Sequence, residues 1–232
     1  MKKNVMMRIA SFLLIAVLIS TSAISGTYAK YVTKNESTDN ARVAKFGVTI
    51  AVDDETMFSD SYKDTETEYE ANEKVATITV QADTEGTNVV APGTEGTLAG
   101  FNVTGTPEVD VEVTYGATLT LEGWEVDGAE YCPIIFTING EQYFVGKTGI
   151  SDVATLKSEV EAAIVAKKAT YHTNEDLDAV DDDLIVTWSW PFYISDANDV
   201  KDTALGDAAA GLNGGTAATI KLDVSCTITQ VD

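Results

Sequence analysis

The sequence predicts an all-β fold with one or two peripheral helices, in the form of an antiparallel jelly-roll or Greek-key β-sandwich. Three observations support this prediction. Short segments of alternating apolar and polar residues recur along the chain, about nine or ten in number. Turn residues separate these segments about every eight to twelve residues. In the body of the chain, residues 151–168 stand out with a helical periodicity instead.

The first predicted strand covers residues 41–52 and follows a polar stretch at residues 30–40. Its alternation predicts one half-buried face, with Gly47 as a candidate bulge. The apolar residues of that face are Val43, Phe46, Val48 and Ile50. Residues 53–72 are acidic and poor in apolar side chains, which predicts an exposed loop.

Further strands are predicted from the same alternation. They cover residues 74–81, 96–105, 109–115, 118–126, 132–138, 141–145, 183–190 and 217–231. Gly116 is expected to separate two of them. Asp127-Gly128 predicts a turn, and Asn139-Gly140 predicts a tight β-hairpin.

Residues 151–168 predict an amphipathic helix that packs against a sheet or covers one of its ends. Ser151 is the expected N-cap of this helix. Its apolar stripe consists of Val153, Leu156, Val160 and Ile164. A second, shorter helix is predicted within residues 199–210.

The N-terminus has the layout of a secretory signal. Positive residues precede an uncharged apolar run at residues 9–24, and the small residues Thr27 and Ala29 fit a signal-peptidase site. The sequence therefore predicts a leader at residues 1–29, cleaved between Ala29 and Lys30, and a secreted protein. The alternative is a retained membrane anchor, but the apolar run is shorter than the about 20 residues that a spanning helix needs.

The charge and the cysteines limit the partners and the chemistry. A net charge of −22 at pH 7 repels phosphate backbones, which excludes nucleic acid as a partner. The chain has two cysteines, Cys132 and Cys226. Export would permit a disulfide between them, whereas their apolar, strand-like surroundings equally suit two buried thiols. The sequence leaves both alternatives open.

The sequence offers no catalytic motif, so the protein is predicted not to be an enzyme. Its single histidine, His172, lies in a polar stretch, whereas a zinc peptidase needs a motif such as H-E-x-x-H. Two acidic groups offer the hard oxygens that Ca²⁺ prefers, although solvated acidic loops are the favoured interpretation. The candidate calcium ligands are Asp178, Asp181 and Asp183 in one group and Asp196 and Asp199 in the other. No other cofactor is expected.

Trp188 and Trp190 lie two positions apart on a predicted strand and therefore share one face, and Phe192 extends the row. The favoured interpretation places this aromatic row in the core. The alternative is a surface on which sugars stack, which would make the protein a secreted carbohydrate- or surface-binding module.

Several stretches resemble the TasA/camelysin family of exported proteins, which carry SipW-type signal peptides and form biofilm fibres in Gram-positive bacteria. They are SGTYAKY at the end of the leader, RVAKFGVTI directly behind it, the connection VAPGTEGTLAGFNVTG, and the stretch TWSWPFYISDANDVKDTALG. The resemblance runs over most of the chain. Its most specific part is the signal segment together with the strand behind it.

The resemblance implies a jelly-roll domain at residues 41–232 and a structural role in a biofilm matrix. In fibre-forming members, the mature N-terminal segment adds as a strand to the next subunit. Carried over to this chain, residues 30–40 form the donor strand, with Tyr31 and Val32 as its apolar anchors. The leading residues of that strand are Lys30, Tyr31, Val32, Thr33 and Lys34.

The partners implied by the resemblance are further copies of the chain in a head-to-tail homopolymer, other biofilm matrix proteins, and the signal peptidase during export. The name camelysin also implies a peptidase activity. This sequence offers no metal-binding motif for such an activity, so it is not carried over.

Overall fold

The computed structural model describes residues 3–28, 41–52, 57–69, 74–98, 101–179 and 184–231 of the 232-residue chain. Contacts divide the chain into two units, Met1–Val43 and Ala44–Asp232. In the first unit, helix α1 covers Lys3–Tyr28, and its described apolar side chains between Met6 and Ile19 are exposed. Among the described residues, no helix combines the length and the apolarity that a membrane crossing requires.

The second unit is built mainly from short strands. The strands are β1 Val48–Val52, β2 Ser61–Tyr69, β3 Lys74–Gln81, β4 Glu95–Leu98, β5 Phe101–Gly105, β6 Val111–Glu122, β7 Glu125–Val126, β8 Ala129–Glu130, β9 Ile135–Ile138, β10 Glu141–Tyr143, β11 Lys168–Tyr171, β12 Val186–Ser189 and β13 Thr219–Gln230. The helices are α2 Val153–Ala166 and α3 Asp196–Ala209, with 3₁₀ turns at Leu177–Ala179 and Leu212–Gly214.

The strands pair in antiparallel fashion throughout the described residues. One sheet has the strand order β10-β9-β12-β4, and a second has the order β11-β6-β13. Three two-stranded ribbons, β1-β5, β2-β3 and β7-β8, complete the pairing. The prediction of a mainly β protein with a few helices is therefore confirmed.

The core brings together one face of β6, the paired strands β9 and β12, and the apolar stripe of α2. Trp188 of β12 lies directly opposite Phe136 of β9, and these are the largest fully buried side chains. Along β6, every second residue from Val111 to Tyr115 is buried, as expected for a strand with one face on the core.

Helix α2 carries the predicted stripe, and all four of its residues are buried: Val153, Leu156, Val160 and Ile164. The predicted N-cap, Ser151, is wrong by one residue. Asp152 is the N-cap because its Oδ1 accepts from the backbone N of Thr155 at 2.7 Å, while the Ser151 hydroxyl donates to Asp152 Oδ2. The helix ends at Ala166, before the predicted end, because Lys168 already starts β11.

The predicted exposed loop at residues 53–72 is wrong in its second half. Residues Ser61–Tyr69 form β2, which pairs with β3. Its sequence, SYKDTETEY, has no apolar face, so hydrophobic alternation could not reveal it. The predicted strand at residues 74–81 is confirmed as β3.

Two predicted boundaries around β4–β6 are also wrong. The single strand predicted at residues 96–105 is two strands, because β4 pairs with β12 whereas β5 pairs with β1. Conversely, Gly116 does not interrupt β6, because it pairs with Ser225 inside an uninterrupted ladder between β6 and β13. The Asn139-Gly140 hairpin is confirmed, with both residues at positive φ.

The first predicted strand, residues 41–52, begins later than expected. Only Val48–Val52 form β1, and the side chain of Val43 is 91% exposed rather than half-buried. Gly47 marks the point where the strand begins. Its φ is +64°, and a Cβ there would lie 2.7 Å from the backbone oxygen of Thr106.

Candidate functional site

Strand β13, Thr219–Gln230, is the longest exposed edge that the structure describes. It pairs with β6 over all of its twelve residues. Among the described residues, β6 is its only partner strand, so the backbone groups on its other side face outward. Such groups form a ready template for another extended chain.

The side chains of β13 alternate between exposed and half-buried positions. The half-buried set packs against the core and consists of Ile220, Leu222, Val224, Cys226 and Ile228. Because these residues are only partly covered, the strand presents an incompletely covered apolar ladder beside an open backbone edge. The exposed set includes Lys221 and Asp223, whose side chains pair at 2.7 Å.

A groove of about 690 Å³ runs along the first half of β13. On one side it is lined by residues from Ala217 to Asp223, and Ala209 at the end of α3 closes part of it. The opposite side is formed by Phe58, Thr87, Asn88, Val89 and Val90. The groove is thus a channel between the edge of β13 and the segments that hold Phe58 and residues 87–90.

The wall opposite β13 is held in place by Trp188. The ring of Phe58 lies 5.2 Å from the Trp188 ring, and Trp188 Nε1 donates to the backbone oxygen of Met57 at 2.8 Å. Val89 is tied to the same wall, because its backbone N donates to Ser59 O at 3.0 Å. This wall of the groove is therefore packed on the core at Phe58 and bonded at Val89 to the segment that follows Phe58.

A second cluster lies at the start of α3. The Tyr131 hydroxyl donates to Asp202 Oδ1 at 2.7 Å and accepts from Asn198 Nδ2 at 3.2 Å. Burial raises the pKa of Asp202, and the hydrogen bond from Tyr131 opposes that rise. The buried Trp190 Nε1 has no hydrogen-bond partner among the residues that the structure describes. Burial also raises the pKa of Tyr131.

His172 follows β11 and lies on the surface, as predicted. Its Nδ1 lies 3.1 Å from Asp110 Oδ2, and Thr173 donates to Asp110 Oδ1 from both its backbone N and its hydroxyl. The hydrogen bond with Asp110 raises the pKa of His172, and the same bond is the main cause that lowers the pKa of Asp110.

The residues predicted for strand donation, Lys30, Tyr31, Val32, Thr33 and Lys34, lie outside the described residues. The same holds for Ala29, which precedes the predicted cleavage site. The candidate calcium ligands Asp181 and Asp183 also lie outside them.

Two of the three remaining candidate calcium ligands make hydrogen bonds within the fold. Asp178 accepts from the backbone N of Gly105, and Asp196 accepts from the Tyr193 hydroxyl. Asp199 lies exposed in the first turn of α3. In the part of the chain that the structure describes, no three His, Cys, Asp or Glu side chains are grouped to hold a metal ion.

The structure has Cys132 and Cys226 as free thiols, which is the second of the two alternatives left open by the sequence. Burial raises the pKa of both thiols, that of Cys132 to about 12. The aromatic row is part of the core, since Trp188 is 1% and Trp190 5% exposed. These two rings are therefore not available for stacking on a sugar.

No sequence pattern indicated the pairing of Tyr131 with Asp202, because these residues lie far apart in the chain. One clue to Asp202 was its spacing of three residues before Leu205, since both are buried on one face of α3.

Comparison of the chain with protein-family models, with curated proteins and with solved structures finds no match.

Proposed function

We propose that the protein is an extracellular, fibre-forming subunit of a bacterial biofilm matrix, as its resemblance to the TasA/camelysin family implies. In this proposal, each secreted copy has the antiparallel jelly-roll or Greek-key sandwich of that family. The mature N-terminal segment, residues 30–40, adds as a strand to the next copy. The observation that carries the proposal is the open edge of β13 beside an apolar groove.

The outer side of β13 has no partner strand among the described residues. An added strand would pair with the outward N–H and C=O groups of β13, and its apolar side chains would cover the half-buried ladder. Burial of apolar surface stabilises such an addition by about 25 cal/mol per Å². Because the donor and the acceptor are different surfaces, repeated addition does not close and yields a filament.

The lengths of the two partners agree. A strand rises about 3.3 Å per residue, so the twelve residues of β13 span about 40 Å. Residues 30–40, when extended, span about 36 Å by the same measure. The donor segment is therefore long enough to cover most of β13 and not only the groove beside its first half.

Electron microscopy of two chains tests the proposal. One chain starts at Lys30, and the other starts at Ala41 and lacks the proposed donor. We expect filaments from the first chain and single particles from the second. A synthetic peptide of residues 30–40 should then bind the second chain in a one-to-one ratio. Equally abundant filaments from both chains would overturn the strand-donation proposal.

Variants of the acceptor test the location of the site. Leu222→Glu places a charge in the groove and should abolish filaments and peptide binding. Ile185→Glu is the matched control, because Ile185 is also an apolar residue but is 52% exposed and absent from the groove lining. Circular dichroism establishes that both variants remain folded. If folded Leu222→Glu polymerises as well as the control, β13 is not the acceptor.

A further inference from the structure

A second cavity, of about 430 Å³, lies beside the first turns of α3, at a site distinct from the groove along β13. Its walls come from the segment before β9, the end of β10 and the segment after β12. They are mainly apolar and include Pro133, Ile135, Phe144, Val145, Pro191 and Ile194. The volume and the apolar lining are those of a site for a small organic ligand.

Most polar groups of this cavity are already occupied. Tyr131 and Asn198 bond to each other, and Tyr131 also bonds to Asp202. The Glu130 carboxylate accepts from the backbone N of Val153 at the start of α2. The Cys132 thiol, whose pKa burial raises to about 12, stays protonated and serves as an apolar wall.

Lys201 is the exception. Its Nζ lies over the Tyr131 ring, 4.9 Å from the ring centre, at the rim of the cavity. None of the ion pairs that the structure describes includes Lys201, although the chain carries a net charge of −22. The cavity therefore combines an apolar interior with one ammonium group that retains its capacity to donate.

We propose that this cavity binds a small carboxylic acid with an apolar body. The body lies against the apolar walls, and the carboxylate pairs with Lys201, which the Tyr131 ring holds in position. A ligand with an ammonium group would meet Lys201 as a like charge. Glu130 is the acidic residue of the lining and opposes an anionic ligand, but its carboxylate is directed to the backbone N of Val153 by a hydrogen bond at 3.2 Å. The Asp202 carboxyl bonds to Tyr131. The distant acidic residues oppose the ligand only weakly, since exposed charges are screened beyond about 8 Å in physiological salt.

Calorimetric titration of the full chain with octanoate tests the site, with octanol and octylammonium as probes of equal length. We expect octanoate to bind in a one-to-one ratio, octanol about tenfold more weakly, and octylammonium not at all. Any binding to the exposed apolar residues of α1 would be common to all variants and is removed by comparing them. Saturation by octanol with the same affinity as octanoate would overturn the proposal, as would the absence of saturable octanoate binding.

Two variants locate the ligand. Lys201→Gln should weaken octanoate about tenfold and leave octanol unchanged, because only the charged partner is lost. Lys168→Gln is the matched control, since Lys168 is an exposed lysine that pairs with Glu112 elsewhere. Methyl NMR should show shifts at Ile135 and Ile194 and none at Ile220. Unchanged affinity in Lys201→Gln, or shifts centred on Ile220, would assign the binding to another surface.

Discussion

Strand β6 lies between β11 and β13, and these two edge strands of the sheet differ in length and in what lies beside them. On one side, β11 is four residues long and pairs only with Val111–Thr114. Beyond it, α2 takes over, because Glu161 Oε1 accepts from the backbone N of Leu119 at 2.8 Å. On the other side, β13 runs the full length of β6 and has no further strand among the described residues.

The difference indicates which edge is suited to assembly. A short edge strand with a lysine, followed by a helix whose Glu161 accepts from one further backbone N–H, gives another chain less to pair with. Lys168 of β11, in contact with Glu112, fits this pattern. Strand β13 also carries a lysine, Lys221, paired with Asp223, but its edge is twelve residues long and bears a half-buried apolar ladder, which is why we place the acceptor there.

The largest expected effect is a difference in unfolding free energy between substitutions on α2 and on β13, because the two elements differ in burial. Leu156 of α2 is fully buried, so Leu156→Ala should lower the free energy of unfolding by about 2–5 kcal/mol. Leu222 of β13 is only half-buried, and Leu222→Ala should cost about 1 kcal/mol in the isolated subunit. Urea unfolding of subunits that start at Ala41 measures both. Equal losses would mean that β13 is as well covered as α2.

The next effect concerns the bond between α2 and β6. Glu161→Ala leaves the backbone N of Leu119 without its acceptor and should cost about 1–2 kcal/mol. Glu161→Gln keeps a carbonyl acceptor at the same place and should cost less. Thr227→Ala on the exposed face of β13 is the control and should change stability little. If all three variants unfold at the same urea concentration, Glu161 does not protect this edge.

The third prediction concerns Asp202, on the helix whose end closes part of the groove. Burial raises the pKa of Asp202, so ionisation opposes folding. The stabilisation of the fold by neutral Asp202 is complete below the pKa that Asp202 has in the unfolded chain. It is lost as pH rises through the higher pKa that Asp202 has in the folded chain. Asp202→Asn keeps an acceptor for Tyr131 and should therefore raise the thermal midpoint at neutral pH, with little gain at low pH.

The exposed Asp207 on the same helix provides the control for this experiment. Asp207→Asn should leave the difference between neutral and acidic midpoints as it is in the original chain. A lower midpoint for Asp202→Asn at neutral pH would mean that the carboxylate stabilises the fold through its hydrogen bonds more than burial opposes it.

The sequence predicted the elements that carry an apolar pattern. The alternation from Ile220 to Ile228 predicted β13, and the stripe from Val153 to Ile164 predicted α2, because each has one face on the core. The pattern failed where a strand has few apolar residues. The polar strand β2 is an example. It pairs with β3, but its own sequence has no apolar alternation that would indicate a strand.

Features that depend on two distant segments were also beyond the sequence. Gly116 has a low strand propensity, yet it remains in β6 because the ladder with β13 continues across it. The groove needs Phe58 and Ile220 on opposite sides, and these residues have no common pattern in the chain. The donor segment is the reverse case, because its assignment depends on the resemblance and its residues lie outside the described ones.

The smallest expected effect is at His172, beyond the end of β11. The bond with Asp110 raises the pKa of His172 in the folded chain. The stabilisation of the fold by protonated His172 is therefore complete below the pKa of the unfolded chain, and it is lost as pH rises through the pKa of the folded chain. The pKa of Asp110 is lowered in the folded chain, so the stabilisation by its carboxylate is lost as pH falls through that lowered pKa. His172→Gln should therefore lower the thermal midpoint slightly at about pH 5.5 and not at about pH 8.5.

Salt and NMR distinguish this ion pair from a packing effect. Because both groups are exposed, about 1 M salt should remove the difference between His172→Gln and the original chain. His172 is the single histidine, so its proton NMR titration reports its pKa without overlap from another imidazole. A pKa at or below that of a free histidine, or a midpoint difference that persists at high pH and high salt, would contradict the pair. The lower thermal midpoint of His172→Gln would then come from lost packing beside β11. In that case the β11 edge would be held by packing as well, and the two edges of the sheet would differ less than their lengths indicate.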